Sequence, residues 1–141
     1  MATPTEWRST VRWAECDAAG IIYHARVFDW FSEGRIAWLR ENQLDYYDVL
    51  RARGIELLVK TANASFHHTL RPGDPVHLQI VMDSLSATRA TFRYHVAAPE
   101  NPQVTALEGF TEHAFVVDGR ARRLDRAFPD IYEQFLRRSS T

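Results

Sequence analysis

One stretch of the chain, residues 25–41, repeats its apolar side chains at helical spacing, whereas the long stretches around it alternate with a period of two. Val27, Trp30, Phe31, Gly34 and Trp38 recur on one face, with Asp29, Glu33, Arg35 and Arg40 interspersed. Phe28 and Ile36 widen the apolar stripe, which predicts a helix buried on more than one side. Gly34 costs about 1 kcal/mol against alanine in an exposed helix, so its presence points to close approach of a sheet or another backbone. Residues 7–14 put Trp7, Ser9, Val11 and Trp13 on one face and Arg8, Thr10 and Arg12 on the other, which reads as a half-buried strand. A short helical piece is expected over 45–53, ending at Gly54. Beyond it, Ala62, Ala64, Phe66, His68 and Leu70 alternate up to the turn Arg71-Pro72-Gly73-Asp74. Val76, Leu78, Ile80 and Met82 alternate next, then Phe92, Tyr94 and Val96, and Val104 to Val117 is long enough for one more strand, closing at Asp118-Gly119. Ile131, Phe135 and Leu136 predict a short amphipathic helix after Pro129. A strand, one long helix and about four antiparallel strands make an α+β layer arrangement. One helix covers only part of such a sheet, so at least a dimer is expected.

At 141 residues, with no repeat and no linker-like stretch, residues 1–141 read as a single domain. Apolar residues at 45% and aromatics at 12% supply a core and exclude a disordered or low-complexity chain. The net charge of -1 argues against a general nucleic-acid binder, although a small basic patch for a phosphorylated ligand remains compatible with it. The single cysteine, Cys16, excludes an internal disulfide and a cysteine-based zinc site. No apolar run approaches the roughly 20 residues of a membrane span, and the first residues carry neither a basic nor an apolar leader region. A soluble, cytoplasmic protein is expected, with no metal and no cofactor.

Asp17 is the leading candidate for chemistry. It sits between a predicted strand and the buried helix, beside Ala18-Ala19-Gly20, whose small side chains would let a substrate approach the backbone. A helix beginning near His24 offers free N–H groups and a positive dipole end. A carboxylate beside such groups can attack a carbonyl or activate water while the N–H groups hold the developing oxyanion. On local pattern alone, a turn or N-cap role is the commoner one for an aspartate. Other candidates are weaker. Adjacent His67 and His68 on a strand would point to opposite faces and could not chelate one metal together. His77 and His95 fall on the polar parity of their strands. Cys16 lacks an activating pattern, and Ser65 lacks the Gly-x-Ser-x-Gly context of a serine nucleophile.

The run Val11-Arg12-Trp13-Ala14-Glu15-Cys16-Asp17-Ala18-Ala19-Gly20-Ile21-Ile22-Tyr23-His24, followed by Phe28-Asp29-Trp30-Phe31, resembles the signature of the 4-hydroxybenzoyl-CoA thioesterase family of hotdog-fold enzymes. The shared core is Asp-x-x-Gly-x-x-Tyr-His ahead of an aromatic-rich helix. Asn63-Ala64-Ser65-Phe66 and Arg71-Pro72-Gly73-Asp74 also look like that family's second-strand and turn segments.

The resemblance implies a long central helix wrapped by a curved antiparallel sheet of five or six strands. It implies chains that join their sheets in pairs, often again into tetramers, with active sites at the subunit interface. The implied reaction is hydrolysis of an acyl-CoA thioester, with an aromatic acyl group of the 4-hydroxybenzoyl kind preferred. Asp17 matches the family's catalytic aspartate, as nucleophile or general base. Tyr23 and His24 match the start of its helix, with the N–H at position 24 aimed at the thioester oxygen. Gly20, Ile22 and Trp30 fall in the same motif as substrate contacts. Glu33 stands where other hotdog thioesterases carry a second carboxylate, although Asp29 and Arg35 nearby make an ordinary ion-pair setting the simpler reading. Arg89 falls where family members carry basic residues for CoA phosphates, and Arg120 and Arg122 begin a basic cluster suited to the same task. A solvated basic tail is the alternative for these arginines. The pair Tyr-His also occurs in the Tol–Pal-associated branch, which acts on short aliphatic acyl groups. A hotdog dehydratase and a non-catalytic acyl-CoA-binding protein complete the alternatives.

Overall fold

Six antiparallel strands curl around one long helix in the computed structural model, which describes residues 3–139. The elements run β1 (Thr5–Thr10), α1 (Val27–Glu41), β2 (Ile55–Phe66), β3 (Pro75–Leu85), β4 (Arg89–Ala98), β5 (Asn101–Val117), β6 (Arg120–Ala121), α2 (Leu124–Ala127) and α3 (Pro129–Arg138). The sheet order is β1-β3-β4-β5-β2, with β6 folded back on β5. This is the expected α+β hotdog architecture.

The helical period carries straight through to packing. Val27, Trp30, Phe31, Gly34, Trp38 and Leu39 are buried on α1. They face the alternating inner set Leu78, Ile80 and Met82 on β3 and Phe92, Tyr94 and Val96 on β4, all buried. Gly34 is where helix and sheet come nearest. A methyl group there would lie 2.7 Å from both the Ile80 and the Leu78 side chains, which is the close approach that its presence in the helix predicts. Phe31 stacks on Tyr94 with ring centroids 4.2 Å apart. Helix α3 closes one end, with Phe135 against Trp38 and Phe115.

One feature of the core has no counterpart in the apolar pattern. Beneath α1, Arg35 Nη1 donates to the Tyr94 hydroxyl at 3.1 Å, and that hydroxyl lies 2.6 Å from Thr111 Oγ1. Thr111 Oγ1 lies 2.8 Å from Nε2 of the fully buried His113, whose Nδ1 lies 3.3 Å from the Leu57 carbonyl. The donor inventory sets one direction through this chain. The Leu57 carbonyl only accepts, so Nδ1 carries the proton and Nε2 must accept from Thr111. Thr111 then accepts from Tyr94, which accepts from Arg35. Burial, helped by the Arg35 charge, pushes His113 down to about 4 and keeps the ring neutral. Burial also pushes the Tyr94 phenol up, despite the opposing effect of Arg35, and so preserves its proton.

Two details differ from the sequence expectation. The first strand ends at Thr10, and residues 13–15 form a single 3₁₀ turn, so Trp13 does not share the buried face with Trp7 and is 81% exposed. Arg35 turns inward to Tyr94 and to Ser32 Oγ, and Asp29 pairs with Arg26, so among the described residues Glu33 has no ion-pair partner.

Candidate active site

Asp17 sits at the corner of a small hairpin that leads into α1. The Tyr23 N–H donates to the Glu15 carbonyl at 2.9 Å, Cys16 bridges Ile22, and the Asp17 N–H donates to the Ile21 carbonyl at 3.0 Å. The Gly20 N–H closes the turn onto the Asp17 carbonyl at 3.0 Å, with Gly20 at φ 76°. This is a three-residue hairpin loop with a residue in the left-handed region, the conformation glycine adopts without cost. Asp17 Oδ1 accepts the Ala19 N–H at 2.9 Å, which fixes the carboxylate relative to the loop. The other carboxylate oxygen makes no hydrogen bond among the described residues.

The hairpin hangs from Glu15, a residue that the motif reading left without a role. Glu15 is buried and accepts the Arg12 N–H at 2.8 Å, the Trp30 indole N–H at 2.9 Å and the Arg12 guanidinium at 3.2 Å. Burial alone would raise its carboxyl, but these three donors outweigh it and hold the group below the ordinary carboxylate range. Trp30 therefore sits in the core as the donor that anchors the loop, and it lines no part of the cavity described next.

Beside Asp17 lies an open cavity of about 360 Å³, lined by Asp17, Ile21, Ile22, His24 and the segment Phe66, His67, His68 and Thr69. That volume lies within the range of small-molecule sites. His24 opens a 3₁₀ turn, His24–Arg26, that runs directly into α1. The His24 and Ala25 N–H groups stand at the first turn, where no preceding helical carbonyl can accept them, and the helix dipole adds positive potential there. The opposite wall is tied to the hairpin by the Ile22 N–H, which donates to the Leu70 carbonyl at 2.8 Å.

The strand alternation on which His67 and His68 are expected to face opposite ways stops before them. Strand β2 ends at Phe66, and the N–H groups of His67 and His68 both donate to the Ala106 carbonyl, at 2.8 and 3.0 Å. The shared acceptor is a bulge that breaks the alternation, and both residues line the Asp17 cavity. Among the described residues no group of three or more potential ligands could hold a metal ion.

The remaining candidates lie apart from this cavity. Tyr23 is exposed, with its ring 4.6 Å from that of His24. Gly20 shapes the turn without lining the cavity. Glu33 is exposed on α1, and Arg89 pairs with Glu112 at 2.9 Å on the outer face of the sheet. Arg120 is exposed on β6, while Arg122 lines a separate hollow of about 340 Å³ with Arg123 and Arg126.

Residues 11–135 match the family model described as the thioesterase-like superfamily. A 1,4-dihydroxy-2-naphthoyl-CoA hydrolase from Picosynechococcus is 25% identical over 137 residues, covering 93% of this chain and 90% of that protein. The DHNA-CoA thioesterase of Staphylococcus aureus superposes with a TM-score of 0.85 at 25% identity, over 95% of this chain and 89% of that one. A Thermus thermophilus protein superposes with a TM-score of 0.86 at 30% identity, over 95% and 98% of the two chains. By its fold and by the match along almost its whole length, this chain belongs to the thioesterase-like superfamily.

Proposed function

We propose that this chain hydrolyses acyl-CoA thioesters, that the acyl group is aromatic, and that Asp17 carries the chemistry. The observation behind this reading is the cavity that joins the Asp17 carboxylate to the start of the central helix. A thioester carbonyl placed between them has an anion on one side and the His24 N–H at the other. The carboxylate either adds to the carbonyl carbon, expelling the thiolate and leaving a mixed anhydride for water to cleave, or takes a proton from the attacking water. In both routes negative charge builds on the carbonyl oxygen, where fixed N–H donors in a partly enclosed site stabilise it most. The Tyr23 ring lies against that of His24 at the helix start.

The aromatic assignment is supported by two similar proteins that bear the names of a dihydroxynaphthoyl-CoA substrate. The apolar residues Ile21, Ile22 and Phe66 in the cavity wall suit an apolar acyl group. A second copy of the chain completes the site on this reading. Strand β2 ends the sheet, and Leu58, Val59 and Phe66 on it are exposed, as an edge awaiting a partner would be. The phosphates of CoA then fall to arginines on the surface, with Arg89, Arg120 and Arg122 as candidates.

The test is free-thiol release from benzoyl-, hydroxybenzoyl-, dihydroxynaphthoyl-, short-chain and long-chain acyl-CoA. The expected result is turnover concentrated on the aromatic members. Turnover confined to short aliphatic chains would overturn the acyl assignment, and CoA binding without release from any thioester would overturn the enzyme reading.

A further inference from the structure

Thioester hydrolysis takes a proton from water and puts one on the departing sulfur. Asp17 is a single carboxylate and cannot act in both places in one step. The cavity contains a second group suited to the task. His67 lines it beside the bulge at Ala106, and its Nε2 lies 3.2 Å from Glu108 Oε2. A carboxylate can only accept, so Nε2 carries a proton and Nδ1 is free to gain or lose one. Glu108 is held on β5 directly opposite Ser65 of β2, so the imidazole is oriented from a sheet position. The pair is half exposed, with side chains 49% and 57% accessible, so its contribution to stability is small. The segment carrying His67 is also bonded to the Asp17 hairpin through Ile22 and Leu70, which fixes the two sides of the cavity relative to each other.

Resting on the thioesterase reading above, we propose that His67 is the proton carrier of the reaction and that Glu108 is its positioning residue. As the carbon–sulfur bond breaks, the bonding pair leaves with sulfur and the protonated His67 ring gives its proton to the thiolate. On the anhydride route the neutral ring then takes a proton from the water that cleaves the anhydride, and on the general-base route it recovers the proton that Asp17 took from water. One water is consumed, one acid and one thiol are formed, and His67 returns to its starting state. The charged and titratable groups facing His67 are Glu108 from β5, Asp17 from the hairpin, His24 from the helix start and the adjacent His68.

The experiment uses the acyl-CoA that the wild-type protein turns over fastest. His67→Gln should lower kcat about 100-fold with KM little changed, the usual scale for a lost general acid–base group. Glu108→Gln should show a smaller loss of kcat of the same kind, again with KM little changed. Added imidazole should restore rate to His67→Ala at an unchanged melting temperature. Unchanged kcat in His67→Gln, a rise in KM alone, or no imidazole rescue would overturn the proposal while leaving the Asp17 reading intact. A wild-type protein inactive on every thioester would overturn both.

Discussion

Beneath α1, every polar group from Arg35 through Tyr94 and Thr111 to His113 has a partner, and no part of His113 is open to water. At the hairpin before α1, Asp17 uses one oxygen locally, the helix start has N–H groups without acceptors, and the whole lies on an open cavity. Both clusters contain a histidine and hydrogen-bonding side chains, and both sit against the same helix. They differ in what is left over. The inner chain ties its hydroxyls and ring nitrogens to one another in a buried line, so it holds shape. The outer one keeps donors and a carboxylate in reserve for a ligand.

Breaking the inner chain should cost stability and leave the chemistry alone. Thr111→Val removes the acceptor of the Tyr94 hydroxyl and the donor to His113 Nε2, and leaves a buried O–H proton without an acceptor and a buried ring nitrogen without a donor. The expected cost is about 3 kcal/mol, read as a fall in Tm of roughly 10 °C, with kcat per folded molecule unchanged.

Acid should act on the same place. His113 titrates at about 4 in the folded chain against an ordinary 6.5. The unfolded chain therefore takes up a proton near pH 6.5 that the folded chain refuses until about pH 4. The contribution is complete above that window and is lost as pH falls through it, amounting to about 3 kcal/mol. Denaturant titrations between pH 7 and 4 should show this slope in wild type and a flatter one in His113→Gln.

Glu15 combines the two characters, because a buried and fully bonded carboxylate supports an exposed loop. Glu15→Gln keeps the size but sets an amide N–H against the donors of Arg12 and Trp30. The expected cost is about 2 kcal/mol, and unlike Thr111→Val it should lower kcat as well, because the Asp17 hairpin loses its anchor. Steady-state kinetics and thermal melts on the same samples separate the two effects.

Much of this arrangement was legible in the residues. The stripe from Val27 to Trp38 announced the helix, and Gly34 announced the close approach of the sheet, because both follow from side-chain period and volume. Asp17, Gly20 and His24 were legible as a motif. What was not legible depends on contacts between distant residues. Glu15 gains its role only when Trp30 packs over it. The inward turn of Arg35 depends on Tyr94, in a strand far along the chain. His67 and His68 line one cavity beside a bulge in which two N–H groups share the Ala106 carbonyl, and a period-two reading of β2 cannot contain that bulge. Trp13 was misplaced for the related reason that a strand was extended across a 3₁₀ turn.

The central claim is that the reserve carboxylate at Asp17 does the work. The most direct test is thiol release from an aromatic acyl-CoA by wild type and Asp17→Asn side by side, with a thermal melt of each. The account predicts at least about a 100-fold loss of kcat at an unchanged melting temperature, because the asparagine keeps the turn bond to Ala19 and removes only the charge. Equal rates in the two proteins would contradict it.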